Sequence, residues 1–114
     1  MAAQLRPGSL AHRVLEAALE MRAAGIPEFH GYQMAEVLVG AEGRPGMLSH
    51  GGLYKALLGL DSAGFLQSVW ENPEIALADK RPRRRLWSIT PVGAAELARL
   101  RVVTHPIGAP AGAT

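Results

Sequence analysis

The chain contains no cysteine, which excludes disulfides, thiolate zinc sites and thiol catalysis and fits a reducing compartment. Aromatic residues make up only 5% of it. Much of the apolar share is alanine, so the expected core is small and helix-rich. No apolar run approaches the roughly 20 residues that a membrane span requires. Residues 1–9 carry Arg6 and Pro7 and lack the apolar stretch of a secretory signal. A cytoplasmic protein with no membrane partner is the expectation. No nucleophile–base pair, phosphate loop or paired-carboxylate spacing is visible, which argues against an enzyme. The four histidines, His12, His30, His50 and His105, are too scattered for a metal site. No cofactor is expected.

What is present suits one domain of 114 residues. The formal net charge is only +2, so the distribution of charge says more than its sum. Of twelve Lys and Arg residues, five lie in the six positions Lys80 to Arg85.

Residues 1–9 read as a flexible arm ending at Ser9, a good N-cap. Leu10, Val14, Leu15, Ala18, Leu19 and Met21 then recur at helical spacing. Gly25 and Pro27 close that helix, predicted over 10–24. A shorter helix is predicted over 32–39, with Tyr32, Met34, Ala35 and Leu38 on one face, followed by a turn-rich loop over 40–48. Ser49 caps a third helix over 50–63, stopped by Gly64. The pattern changes at 65–70, which reads as a strand. Residues 71–82 read as a polar loop, and 83–89 as a second strand with Trp87 and Ile89 on one face. Thr90 and Pro91 open a last helix over 91–103. Residues 104–114 read as a flexible tail. The expected fold class is α+β, mainly α: a winged helix-turn-helix with a two-stranded hairpin wing and a C-terminal helix.

Two features suggest function. On the third helix Leu53, Ala56, Leu57 and Leu60 form one face, while Gly51, Lys55, Leu58, Gly59 and Ser62 lie opposite, with Tyr54 on the flank. Little bulk and one cation suit a helix entering the major groove; an ordinary amphipathic helix would look similar. The run Lys80-Arg81-Pro82-Arg83-Arg84-Arg85 could clamp phosphates or be a solvated loop. One strand separates the two, as a wing and its recognition helix require. By alternation Arg85 shares the face of Trp87 and Ile89 and Arg84 points away, so one of the pair is free for a structural role.

The ordered series resembles the PadR family of transcriptional regulators. Leu48-Ser49-His50-Gly51-Gly52-Leu53-Tyr54-Lys55-Ala56-Leu57 is similar to that family's recognition helix, with Gly52 where Thr is usual. His30-Gly31-Tyr32 is similar to the start of its second helix. Trp70-Glu71 and Arg83-Arg84-Arg85-Leu86-Trp87-Ser88-Ile89-Thr90 with Gly93 resemble its wing and the entry to its last helix. The resemblance implies a homodimer that binds double-stranded DNA at a pseudo-palindromic operator, usually as a repressor. It further implies a small aromatic effector as a partner. The DNA contacts it implies are Tyr32, Ser49, His50, Gly51, Tyr54, Lys55, Lys80, Arg81, Arg83, Arg84 and Arg85. For Tyr32 a half-buried aromatic role stands beside phosphate contact. Dimerisation would use Leu10, Val14, Ala94, Leu97, Ala98 and Leu100, the alternative being that the last helix packs on the first within one subunit. The competing function is a winged helix that binds protein rather than DNA, with Leu58 as an apolar contact.

Overall fold

Local chemistry sets the helix starts where the sequence places them. The Ser9 hydroxyl accepts from the His12 N–H at 3.1 Å and opens α1 (Leu10–Ala23), and Gly25 at φ +92° ends it. The computed structural model describes residues 5–42 and 49–104 of the chain. The remaining elements are α2 (Gly31–Glu42), α3 (His50–Ser62), β1 (Leu66–Trp70), α4 (Pro73–Ala78), β2 (Arg85–Ile89) and α5 (Pro91–Thr104). No helix among the described residues is long and apolar enough to cross a membrane.

At α2 the cap is reciprocal. His30 Nδ1 accepts from the Gln33 N–H at 3.3 Å, and Gln33 Oε1 accepts from the His30 N–H at 2.9 Å. Two free donors of the first turn are satisfied together. The helix runs past the predicted end at residue 39. Gly40 is helical, since one glycine costs only about 1 kcal/mol relative to alanine. Most of the predicted loop, 43–48, lies outside the described residues. Met34 and Leu38 are buried as expected, but Tyr32 points to solvent and leaves their face.

Three aliphatic residues of α3, Leu53, Leu57 and Leu60, are buried on its inner face. The chain then turns at Gly64, φ +82°, into an antiparallel hairpin pairing Leu66 with Ile89, Ser68 with Trp87 and Trp70 with Arg85. The other edge of β2 is paired too, since Phe29 and Trp87 exchange both backbone hydrogen bonds, at 3.0 and 2.8 Å. Trp87, 1% exposed, and Phe29 are the largest fully buried side chains.

Three expectations are corrected. The predicted loop over 71–82 contains a helix, α4. Asn72 caps it by accepting from the Glu74 N–H at 2.9 Å, and Pro73 sits in its first turn, where its missing N–H costs nothing. The predicted arm is docked from residue 5. Leu5 is buried and its N–H donates to Glu96 Oε2 at 2.7 Å; residues 1–4 lie outside the described residues, as does the tail from 105. The dimer stripe is the third correction. Val14, Leu97 and Leu100 are buried in the subunit's own core, and Leu10 and Ala94 pack against it. Helix α5 folds back on α1, because each buried leucine gains about 1.5–3 kcal/mol there. Of the predicted dimer residues only Ala98 is exposed.

Candidate nucleic-acid interface

The outer face of α3 is open. Gly51, Tyr54, Lys55, Leu58, Gly59 and Ser62 are all exposed, and no Cβ-sized neighbour crowds Gly51 or Gly59. Ser49 holds the N-cap, accepting from the Gly52 N–H at 3.0 Å, which commits its hydroxyl to the helix. His50 follows at the surface. Its ring meets the edge of Tyr32 at 5.5 Å, and Tyr32 in turn meets His30 at 6.2 Å. At 63% exposure, Tyr32 is not the half-buried aromatic of the alternative.

Tyr54 is 47% exposed and leans edge-on against Trp87, with ring centroids 6.3 Å apart. Behind it stands Arg85. Its Nε donates to Ser68 Oγ at 2.9 Å, its Nη2 to Asp61 Oδ2 at 3.4 Å and its Nη1 to the Tyr54 hydroxyl at 3.5 Å. Its guanidinium lies 4.8 Å from the Trp87 ring centroid. A cation held on four sides fastens the hairpin to α3. Arg85 thus has a bracing role within the fold, the role that alternation left open for it.

The basic run divides in the same way. Arg81 grips Glu71 with two bonds of 2.7 and 2.9 Å and reaches Asp79 at 3.2 Å. The Glu71 carboxylate also accepts from the Arg84 N–H at 3.2 Å. These bonds, that from Arg81 above all, hold the Glu71 carboxyl at about 2 and push the Arg81 guanidinium up. Arg81 thus serves as the clasp at the base of the wing. Lys80 is exposed, in the left-handed region at φ +54° after α4. Arg83 is exposed and sits over the Trp70 ring at 5.6 Å. Arg84 forms no ion pair with any described residue.

A groove of about 310 Å³ joins these parts. It is lined by His30, Gly31 and Tyr32 at the start of α2, His50, Leu53 and Tyr54 of α3, and Arg83, Arg84, Arg85 and Trp87 of the hairpin. Burial pushes the His30 imidazole below its ordinary value, and the nearby Arg84 and Arg81 charges add to this. Of the predicted contacts, Tyr32, His50, Tyr54, Arg83, Arg84 and Arg85 are brought to one groove; Ser49, Gly51, Lys55, Lys80 and Arg81 lie outside its lining. Sequence reasoning missed His30, Asp61, Ser68 and Glu71. His30 carried a signal, since Gln33 three residues on is the capping-box spacing. The other three sit where only the fold brings a partner. Among the described residues no group of three or more His, Cys, Asp or Glu could hold a metal ion.

Helices α2 and α3 followed by a hairpin, with a basic groove between α3 and the wing, define a winged helix-turn-helix protein. No family model and no curated protein matches the chain. Among solved structures it is similar to TM0937, a conserved protein of unknown function described as a potential transcriptional factor. The identity is 30% and the TM-score 0.57, over 87% of this chain and 83% of that one. It is also similar to a PadR family transcriptional regulator from Eggerthella lenta DSM 2243, at 21% identity and a TM-score of 0.54, over 84% and 82% of the two chains. The chain belongs to the family of the first of these proteins, and its fold is a winged helix of the PadR type.

Proposed function

We propose that the protein is a transcriptional regulator that binds double-stranded DNA sequence-specifically as a homodimer, on a pseudo-palindromic operator, and represses. The observation that carries this reading is that the start of α3 and Arg83–Arg85 flank a single groove. One duplex can then meet both. Helix α3 enters the major groove, where Gly51 and Gly59 let the backbone come close and Tyr54 and Lys55 reach phosphate or base edges. Lys80, Arg83 and Arg84 meet the adjacent backbone from the wing. The similar proteins, one called a regulator and one a potential transcriptional factor, support a binding rather than a catalytic role; a cytoplasmic location is part of the proposal. Repression and response to a small aromatic effector are carried by the family resemblance alone.

Lys55→Ala is the direct test. Loss of one phosphate contact should weaken binding to every duplex and flatten the plot of log affinity against log salt by about 0.9. An unchanged slope in fluorescence anisotropy titrations would remove Lys55 from the interface.

With the leucines of α5 taken up by the core, the dimer needs another surface. Val92, Ala95, Ala98 and Val102 are exposed on α5 at spacings of three and four, the stripe of a helix–helix contact. A charge in that stripe, Ala98→Glu, should shift the protein from dimer to monomer in sedimentation equilibrium without lowering its helix content. A wild-type protein that sediments as a monomer contradicts the dimer. In a dimer that fits one face of DNA, the two α3 helices stand roughly 34 Å apart.

One observation favours the protein-binding alternative. Leu58 on α3 and Val69, Trp70, Ile75 and Leu77 on the wing are exposed apolar groups. No binding to any duplex at low salt would decide for it.

A further inference from the structure

The groove contains one polar group whose chemistry the wing and reading helix do not explain. His30 Nδ1 is an acceptor, because it takes the Gln33 N–H. The ring proton therefore resides on Nε2, and no described residue accepts it. Burial and the neighbouring Arg84 and Arg81 charges push the imidazole below its ordinary value, against a smaller opposing effect of Glu36 and Glu71. A second proton would have to enter at Nδ1 and break the cap. Arg84, which lines the same groove, lacks an ionic partner among the described residues, and Tyr32 stands beside His30 with its ring exposed. A fixed N–H and an uncommitted guanidinium lining one groove suit a singly charged tetrahedral oxyanion better than a carboxylate pair or a metal.

We propose that His30 and Arg84 together seat one phosphodiester of the DNA backbone, His30 as a neutral hydrogen-bond donor and Arg84 as the counter-charge. This inference rests on the DNA-binding reading and adds a contact from the α2 side of the groove. It divides one contact into two parts with different salt behaviour. Only a cation that displaces counterions contributes to the salt slope. A neutral donor contributes affinity without slope.

The experiment uses the full chain and a fluorescein-labelled mixed-sequence duplex of about 20 bp, two helical turns, titrated at several salt concentrations. Arg84→Gln should flatten the slope by about 0.9. His30→Asn should weaken binding by about tenfold, as loss of a hydrogen bond to a charged group does, and leave the slope unchanged. Asparagine is a good N-cap, so it keeps the acceptor for the Gln33 N–H while removing the distal donor, together with the edge contact to Tyr32. The double variant should lose less than the product of the single losses, because both groups serve one phosphate. Gln33→Ala weakens the cap but keeps the imidazole; it should bind within about twofold of wild type, the scale of additivity error for independent sites. Wild-type affinity in His30→Asn, an altered slope in that variant, or an equal loss in Gln33→Ala each overturns the seat while leaving DNA binding intact. A wild-type protein that fails to bind the duplex overturns the DNA-binding reading, and the seat with it.

Discussion

Trp87→Ala should remove a large share of the protein's stability, about 3–5 kcal/mol. The indole is 1% exposed and lies at the junction of three elements. Tyr54 of α3 meets its edge, Arg85 stacks on it, and its backbone pairs with Phe29 ahead of α2. Truncating a buried tryptophan costs about 3–5 kcal/mol, from lost transfer energy and the cavity left behind. A domain of this size has a total stability of only about 5–15 kcal/mol. Urea denaturation followed by circular dichroism checks it. A loss below about 1 kcal/mol would mean that the hairpin is not part of the core and cannot position the arginines. Tyr54 and Arg85 lose their support in the same variant, so duplex binding should fall with stability.

The second large effect reverses a familiar sign. Gly93 lies in the first turn of α5, where Gly→Ala ordinarily stabilises a helix by up to about 1 kcal/mol. Here an added Cβ would run into the backbone carbonyl of Phe65 and press on Ile89. That carbonyl is the acceptor for the Thr90 N–H, and the Thr90 hydroxyl bonds both Gly64 O and the Gly93 N–H. The collision therefore involves rigid backbone at the corner where the hairpin returns to α5. Overpacking of this kind costs about 1–3 kcal/mol or more, and Gly93→Ala should melt well below wild type. Gly59→Ala is the control. It sits on the open face of α3 with nothing within reach of a Cβ, and it should hold or raise the melting temperature. A Gly93→Ala protein as stable as wild type would show that α5 can shift on the hairpin.

The capping residues Ser9, Ser49 and Thr90 and the stops at Gly25 and Gly64 were legible because each acts within a few residues of itself. So was the face shared by Arg85, Trp87 and Ile89, which needs only alternation along a strand. Helix α4 was not. Six residues hold too little periodicity to register, and Pro73 read as a breaker although Asn72 before it made it a helix start. Leu97 and Leu100 show another limit. Periodicity shows that a face is apolar but not whether α1 or a second subunit covers it. The basic run was the hardest part. Arg81, Arg83, Arg84 and Arg85 are alike as neighbours, yet the groups that separate them, Glu71, Asp61 and Ser68, lie 10 to 24 residues away. Only folding distinguishes a clasp and a brace from two free cations.

On the proposed DNA-binding role, helix α4 and the Arg81–Glu71 clasp give the wing a definite form before a duplex is met. A disordered basic loop would lose about 1–2 kcal/mol of backbone entropy for each residue it ordered on DNA, and in return could mould itself to many backbone shapes. A stiff wing does neither. It presents its charges at fixed separations, like the teeth of a gauge, so the duplex must bring its phosphates to them. Sequences whose groove width already matches would bind with little distortion, and others would carry the cost of deformation. Rigidity at a place that touches no base thereby becomes a source of sequence preference.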